Sequence, residues 1–390
     1  MLYSPIRMKF YSFLYIISTL LFLSCQKNDN LSPSLPEIYE KTLIAYLAGD
    51  NNLSAEIDSK IDALASGFLN VDESQNKLIV FADYRDRNSL LLEISHHGAT
   101  TLQTFDDLDA ADPSTLQKII SQVHSLFPAK SYGLLCFSHA SGWLPQGAFS
   151  NPLEYDPTRS KSLIMDGDHE MSIADFAKAI RLPDQSKYDF ILFETCHMAG
   201  IEVAYSLRDV SSRMLASSAE IVSPGFLECY KKDLKKLFTN PADVSGFGTS
   251  FFDLWDSQSG ARRSATVSVL NLDQLDSLAA EAGRIVRQGN PVSNPENIQH
   301  FDRNLVHMFF DLREYLLAVT GYDESQLTDF DNLLKHTIEY ENATPSFLPG
   351  YPYSFKIDKH CGLTIYIQQP ELETLNEAYR ETDFYMDNMN

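Results

Sequence analysis

Basic residues are scarce in this chain: 31 lysines and arginines face 53 aspartates and glutamates, for a formal net charge of −22. Nucleic-acid binding draws on clustered Lys and Arg that displace phosphate counterions, so that class is set aside. Beyond residue 24 no apolar run approaches the roughly 20 residues that a bilayer-spanning helix needs. There is no Gly-x-Ser-x-Gly elbow, no His-Glu-x-x-His helix and no Gly-rich phosphate loop. The serine-hydrolase, zinc-peptidase and nucleotide-binding signatures are therefore missing. Internal repeats are absent too. Cysteine is sparse, five in 390 residues, and Cys136, Cys196, Cys229 and Cys361 show no framework spacing. Free, mostly buried thiols are expected rather than a disulfide scaffold.

What is present begins with a targeting segment. Arg7 and Lys9 precede a nearly unbroken apolar stretch from Phe10 to Ser24, with Met8 as an alternative start. The stretch is too short to span and stops at Leu23-Ser24-Cys25, where polar residues take over. A small residue followed by Cys at that boundary resembles a bacterial lipobox. Residues 1–25 then read as a lipoprotein signal peptide, with Cys25 lipidated, and 26–40, carrying Pro33 and Pro36, as a tether. The expected location is the bacterial cell envelope, periplasmic or surface-exposed, with the membrane reached through the lipid anchor only.

The remaining 350 or so residues, in a chain 44% hydrophobic, can bury a large core. Apolar runs at Lys41–Ala48, Asn76–Asp83, Ser89–Ser95, Ser131–Ser138, Tyr188–Thr195, Arg213–Ala219, Ala265–Leu272 and Gly362–Ile367 predict strands. The short gap between the second and third predicts a hairpin at one sheet edge. Helical spacing predicts helices over Leu53–Phe68, after the Asp112-Pro113 cap, after Ser172 with its Asp175 partner, and over Met198–Leu207. Further helices are expected at Lys231–Phe238, Ala242–Ser257, Asp273–Arg287, Asp302–Val319 and Ser325–Tyr340. Residues 140–162, rich in Gly and Pro, read as a long irregular loop of the sort that carries function. Strand and helix alternate through the first half, and strands such as LIAYLA and FILFE lack polar alternation. Both features predict an α/β fold with a mainly parallel central sheet and helices on both faces.

Open parallel sheets collect reactive residues beyond the carboxyl ends of their strands. Two stand there: His139 after SYGLLCFS and Cys196 after YDFILFET. A thiol assisted by an imidazole can attack a carbonyl, and the backbone N–H groups of Cys196 and Ala140 are candidate oxyanion donors. Taken alone, a strand-end Cys is as readily a small buried hydrophobe, and a lone His a turn residue. A zinc site from His139, Cys196 and His197 would match no standard spacing, and no metal ligand set is assigned.

The blocks KTLIAYLAGDNNL, LLCFSHASGW and YDFILFETCHMAGIEVAYSLRD, followed by MLASSAE, resemble the ordered blocks of the clostripain family of cysteine peptidases. ATVSVLNLDQLDSL and CGLTIYI extend the likeness to Ile367. The resemblance implies a caspase-like fold, with residues 41–260 as the catalytic core and 261–390 as a C-terminal part packed on it. It further implies a cysteine endopeptidase acting on polypeptides, with Cys196 as nucleophile and His139 as catalytic partner. Two departures stand out: Ala140 replaces the usual Gly, and Glu194-Thr195-Cys196 replaces Asp-Ala-Cys. By resemblance, Glu194 lines the pocket for a substrate Lys or Arg; equally, it is an inward strand residue paired with a structural base. The family can use calcium, for which Asp166-Gly167-Asp168 is a weak local candidate; no cofactor is otherwise required. An inactive envelope binding protein on a peptidase scaffold is the alternative, and nothing in the sequence specifies an oligomer. Of the neighbours, His197 is expected to be incidental, Asp50 to shape a turn and Trp143 to pack the loop. Glu220 and Glu228 could add negative charge near the pocket.

Overall fold

The strand β1, Tyr39–Gly49, is apolar on both sides because it lies in the middle of the sheet. Leu43, Ala45 and Leu47 point into one core cluster, and Ile44, Tyr46 and Ala48 into another on the opposite face. This computed structural model describes residues 38–390 apart from Asp107, residues 156–162 and Ser293. The signal, Cys25 and residues 26–37 of the tether lie outside the described residues; the tether expected to run to residue 40 gives way to β1 at Tyr39.

The sheet has nine strands. In chain order they are β1, β2 (Asn76–Tyr84), β3 (Ser89–Ser95), β4 (Gly98–Phe105), β5 (Ala129–Phe137), β6 (Phe190–Glu194), β7 (Arg213–Ala216), β8 (Thr266–Asn271) and β9 (Ile338–Ala343). Across the sheet they run β9-β8-β7-β6-β5-β1-β2-β3-β4. The pairings β2–β1, β1–β5, β5–β6 and β6–β7 are parallel, and antiparallel strands extend both edges. The mainly parallel α/β architecture is thus as expected, including the edge hairpin at β2–β3.

Helices cover both faces. On one side lie α1 (Ile57–Phe68), and later Leu227–Asp233 and Val244–Asp256, with Leu64, Tyr230 and Phe247 buried against the sheet. The other side carries α2 (Pro113–Leu126), α3 (Ile173–Ala179), α4 (Ile201–Leu207) and Leu275–Gln288. Both N-caps read from the sequence form. Asp112 accepts the Ser114 N–H, and Ser172 Oγ accepts the Asp175 N–H at 3.0 Å. The four cysteines are free.

Several boundaries differ from expectation. The strand expected at Gly362–Ile367 shrinks to Thr364–Ile365, which pairs with Phe310–Asp311 in a separate small sheet. The helix expected from Asp302 begins only at Leu312. Buried Asp302 accepts backbone N–H groups from Asn304, Met308 and Phe309 and pairs with the His307 ring, which locks that stretch as a loop. The helix expected to reach Tyr340 ends at Thr337, and Ile338–Ala343 becomes an edge strand. β4, exposed along most of its length, has no apolar pattern to announce it.

Candidate active site

Register brings the two reactive residues together. Strands β5 and β6 pair in parallel from Gly133 with Phe190 to Phe137 with Glu194. His139 and Cys196 each stand two residues beyond that last pair, so they leave the sheet from adjacent strands, about 4.8 Å apart in strand spacing. Both line one cavity of about 650 Å³ with Asn52, Ala140, Glu220 and Arg303. The chain turns sharply after Cys196: His197 has φ +58°, and backbone bonds from His197 and Ala199 tie the turn to Ala219 and Ser217.

The imidazole is oriented by a residue that the sequence reading did not single out. His139 Nε2 hydrogen-bonds Asn52 Oδ1, and Asn52 sits in the turn that ends β1. An amide oxygen only accepts, so Nε2 carries the proton and Nδ1 is left as the basic nitrogen. Burial holds the His139 ring below its ordinary pKa, opposed by the Glu56 carboxylate, so it is neutral at pH 7. Asn51 braces the same turn by donating to Met165 O at 2.8 Å and accepting the Leu53 N–H.

Cys196 is half-buried where it lines the cavity. That burial pushes the thiol up to about 12; the Ile221 N–H, 3.4 Å from Sγ, works the other way. Glu220 and Arg303 beside it form a two-pronged ion pair at 2.7 and 3.0 Å, so their charges largely cancel at the sulfur. The resting pair is therefore thiol and neutral imidazole.

The cleft thus brings a strand-end cysteine and a neutral, amide-oriented histidine into one lining, the residue types that a thiol nucleophile and its base require. The profile of the clostripain family matches residues 45–351. The chain belongs to the clostripain family. Among solved structures, it resembles an inactive zymogen C11 protease from Parabacteroides distasonis. The TM-score is 0.78 and the identity 28%, with 91% of this chain and 100% of the other covered. A secreted C11 cysteine protease from Bacteroides thetaiotaomicron, in complex with an irreversible peptide inhibitor, shares the fold. Its TM-score is 0.76 at 24% identity, over 89% of this chain and 98% of that one. Among curated protein sequences none matches significantly. The chain is thus a clostripain-family cysteine peptidase with a polypeptide-directed chemistry.

Within this clostripain-family cleft, Glu194 is not free. Its carboxylate accepts from the Lys60 ammonium, from the Phe226 N–H at 2.7 Å and from the Tyr230 hydroxyl at 2.6 Å. Lys60 is wholly buried and Glu194 is 3% exposed. Of the two readings left open for Glu194, pairing with a structural base is the one these contacts match. Gly225, at φ +59°, is needed there: a Cβ would lie 2.1 Å from Glu194 Oε1.

The other singled-out residues fall into place around this centre. His197 is fully buried, stacked on Phe309 at 4.4 Å, and packs the turn. Trp143 packs edge-on to Tyr366 and pins the loop to the C-terminal part. Glu228 lies at the surface with Lys231 and Lys232, away from the cleft. Asp50 shapes the turn, its N–H bonded to Asp83 and its carbonyl to Gly167. Asp166 accepts from Ala110 N–H, while Asp83 accepts from Ser89 and Asp109 from Ala111 and His169.

Proposed function

We propose that this chain is an endopeptidase in which Cys196 is the nucleophile and His139 the general base. The supporting observation is the β5–β6 register, which places both residues at one cleft from positions far apart in sequence. As Sγ attacks the scissile carbonyl, its proton passes to His139 Nδ1, and the carbonyl oxygen becomes an oxyanion held by the Cys196 and Ala140 N–H groups. The C–N bond then breaks, with His139 protonating the departing amine. The amino-terminal part of the substrate stays as a thioester. Water, giving its proton to His139, hydrolyses it and restores the thiol. Asn52 keeps the ring in the tautomer this cycle needs. No bound cation enters these steps.

Cleavage after Lys or Arg, the preference the family resemblance carries, requires an available Glu194 carboxylate; its engagement by Lys60 bears on that directly. Casein degradation by the wild type should vanish in Cys196→Ala. Equal rates would remove the mechanism and leave the binding-protein alternative. No described helix is long and apolar enough to cross a membrane. The export signal and the secreted relative support an envelope enzyme tethered through Cys25. Incorporation of labelled palmitate, lost in Cys25→Ala, is the check.

A further inference from the structure

Next to the main cleft is a second, much smaller recess of about 80 Å³ that shares His139, Cys196 and Ile221 with it. Glu194, Lys60, Ser223 and Gly225 complete its walls. It opens beside the nucleophile, where the side chain preceding a scissile bond has to go. Its deep anion is Glu194, whose two oxygens already hold three protein donors. Lys60 comes from α1 and reaches across to Glu194, donates to Pro224 O at 2.7 Å and lies 4.6 Å from the centre of the Phe137 ring. Phe226 and Tyr230 hold the carboxylate from behind.

We infer that Lys60 is an internal surrogate for a basic substrate side chain, and that this peptidase cleaves after a small uncharged residue rather than after lysine or arginine. The inference rests on the peptidase reading above. Lys60 and Glu194 cancel, so an incoming ammonium or guanidinium meets no unpaired carboxylate at the floor and a buried like charge instead. Glu56, 3.7 Å from Lys60 and partly exposed, leaves slight negative charge at the rim, which disfavours an acidic side chain. What remains is a compact recess, an eighth of the main cleft's volume, with the small residues Ser223, Thr195 and Gly225 in its lining. Alanine, serine and threonine fit that description.

The experiment uses quenched fluorescent peptides identical except before the scissile bond, where Ala, Ser, Thr, Lys or Arg stands. Wild-type kcat/KM for the small residues should exceed that for Lys and Arg by at least tenfold. Lys60→Ala exposes Glu194 and should raise turnover of the Lys and Arg peptides at least tenfold relative to the Ala peptide. A wild type that favours Lys or Arg overturns the inference, and so does a folded Lys60→Ala protein without that gain. Should the variant not fold, the wild-type ranking alone decides. Casein turnover by wild type and Cys196→Ala is run in parallel. Casein cleavage with a basic preference sinks only the role of Lys60. Casein cleavage indifferent to Cys196, or a wild type that cleaves nothing, sinks the peptidase reading and this inference with it.

Discussion

The protonation state of the Cys196 thiol has a direct kinetic signature. With the thiol pushed up to about 12, roughly one molecule in 10⁴–10⁵ is a thiolate at pH 7.5, against about one in ten for a free cysteine near 8.5. A more basic thiolate is also more nucleophilic, by about 0.4–0.5 log units per pKa unit, which returns about 1.5 of the roughly 3.5 log units lost. Iodoacetamide, a small reagent that does not engage the substrate groups, should therefore alkylate Cys196 about 100-fold more slowly than free cysteine at pH 7.5. The logarithm of the rate should climb with near-unit slope from pH 6 to pH 10. His139 cannot flatten the profile, because burial keeps it neutral through most of that range. The assay is time-resolved mass spectrometry of the Cys196 peptide across the pH series. A rate that is flat between pH 6 and 8 would mean a preformed thiolate–imidazolium pair and would refute the reasoning. The steeper demand is then on the bound substrate, whose carbonyl and N–H contacts must supply the environment in which proton transfer and attack occur together.

Asn52→Ala frees the His139 ring to rotate and change tautomer; kcat should drop about 10–100-fold with KM nearly unchanged, by analogy with other positioning losses, and an Asn52→Asp protein should show an altered pH profile. Glu202 is buried and its carboxyl is raised to about 7 by that burial, against an ordinary value near 4.3. The native state thus holds its proton more tightly, so the stabilisation is complete below about pH 4 and is lost as pH rises through 7, an effect of about 4 kcal/mol. Glu202→Gln keeps an acceptor for the Tyr366 N–H, and its melting temperature relative to wild type should increase from pH 5 to pH 8. Casein turnover should be the same in EDTA and in millimolar calcium; a loss in EDTA that calcium restores would place a cation in the working enzyme.

The sequence displays the sheet because buried parallel strands cannot hide: β1, β5 and β6 are apolar on both sides, and no exposed element could be. Edges are harder to read. β4 is mostly exposed and β9 half-exposed, so neither carries a hydrophobic period, and both exist because a neighbour's backbone needed a partner. Asp302–Val319 reads as a helix by spacing, yet one buried carboxylate satisfies three backbone N–H groups in its first turns and outbids the helical ladder. His139 and Cys196 were legible as strand-end residues. Their meeting was not, since it depends on which strands adjoin and in what register. Asn52 stood in a quoted block, but a turn asparagine looks the same whether it braces its own loop, as Asn51 does, or a histidine 87 residues away.

Lys60 left a trace that periodicity alone could have caught. Along α1 the inward positions are Ile57, Ala63, Leu64, Gly67 and Phe68, and Lys60 falls among them, three residues after Ile57 and four before Leu64. Lysine is almost never fully buried without a partner, so its place in the apolar stripe calls for a carboxylate across the core. Candidates on the facing strands are few, because strands buried on both faces rarely carry charge, and FILFE offers one, Glu194. A buried ion pair of this kind adds little stability over an apolar pair, whereas removing one partner costs about 3–5 kcal/mol. Helix and strand are thereby bound to change together. The charge at the floor of the recess beside Cys196 is balanced by Lys60, 134 positions from Glu194, and the Glu194-Thr195-Cys196 motif cannot be interpreted without it.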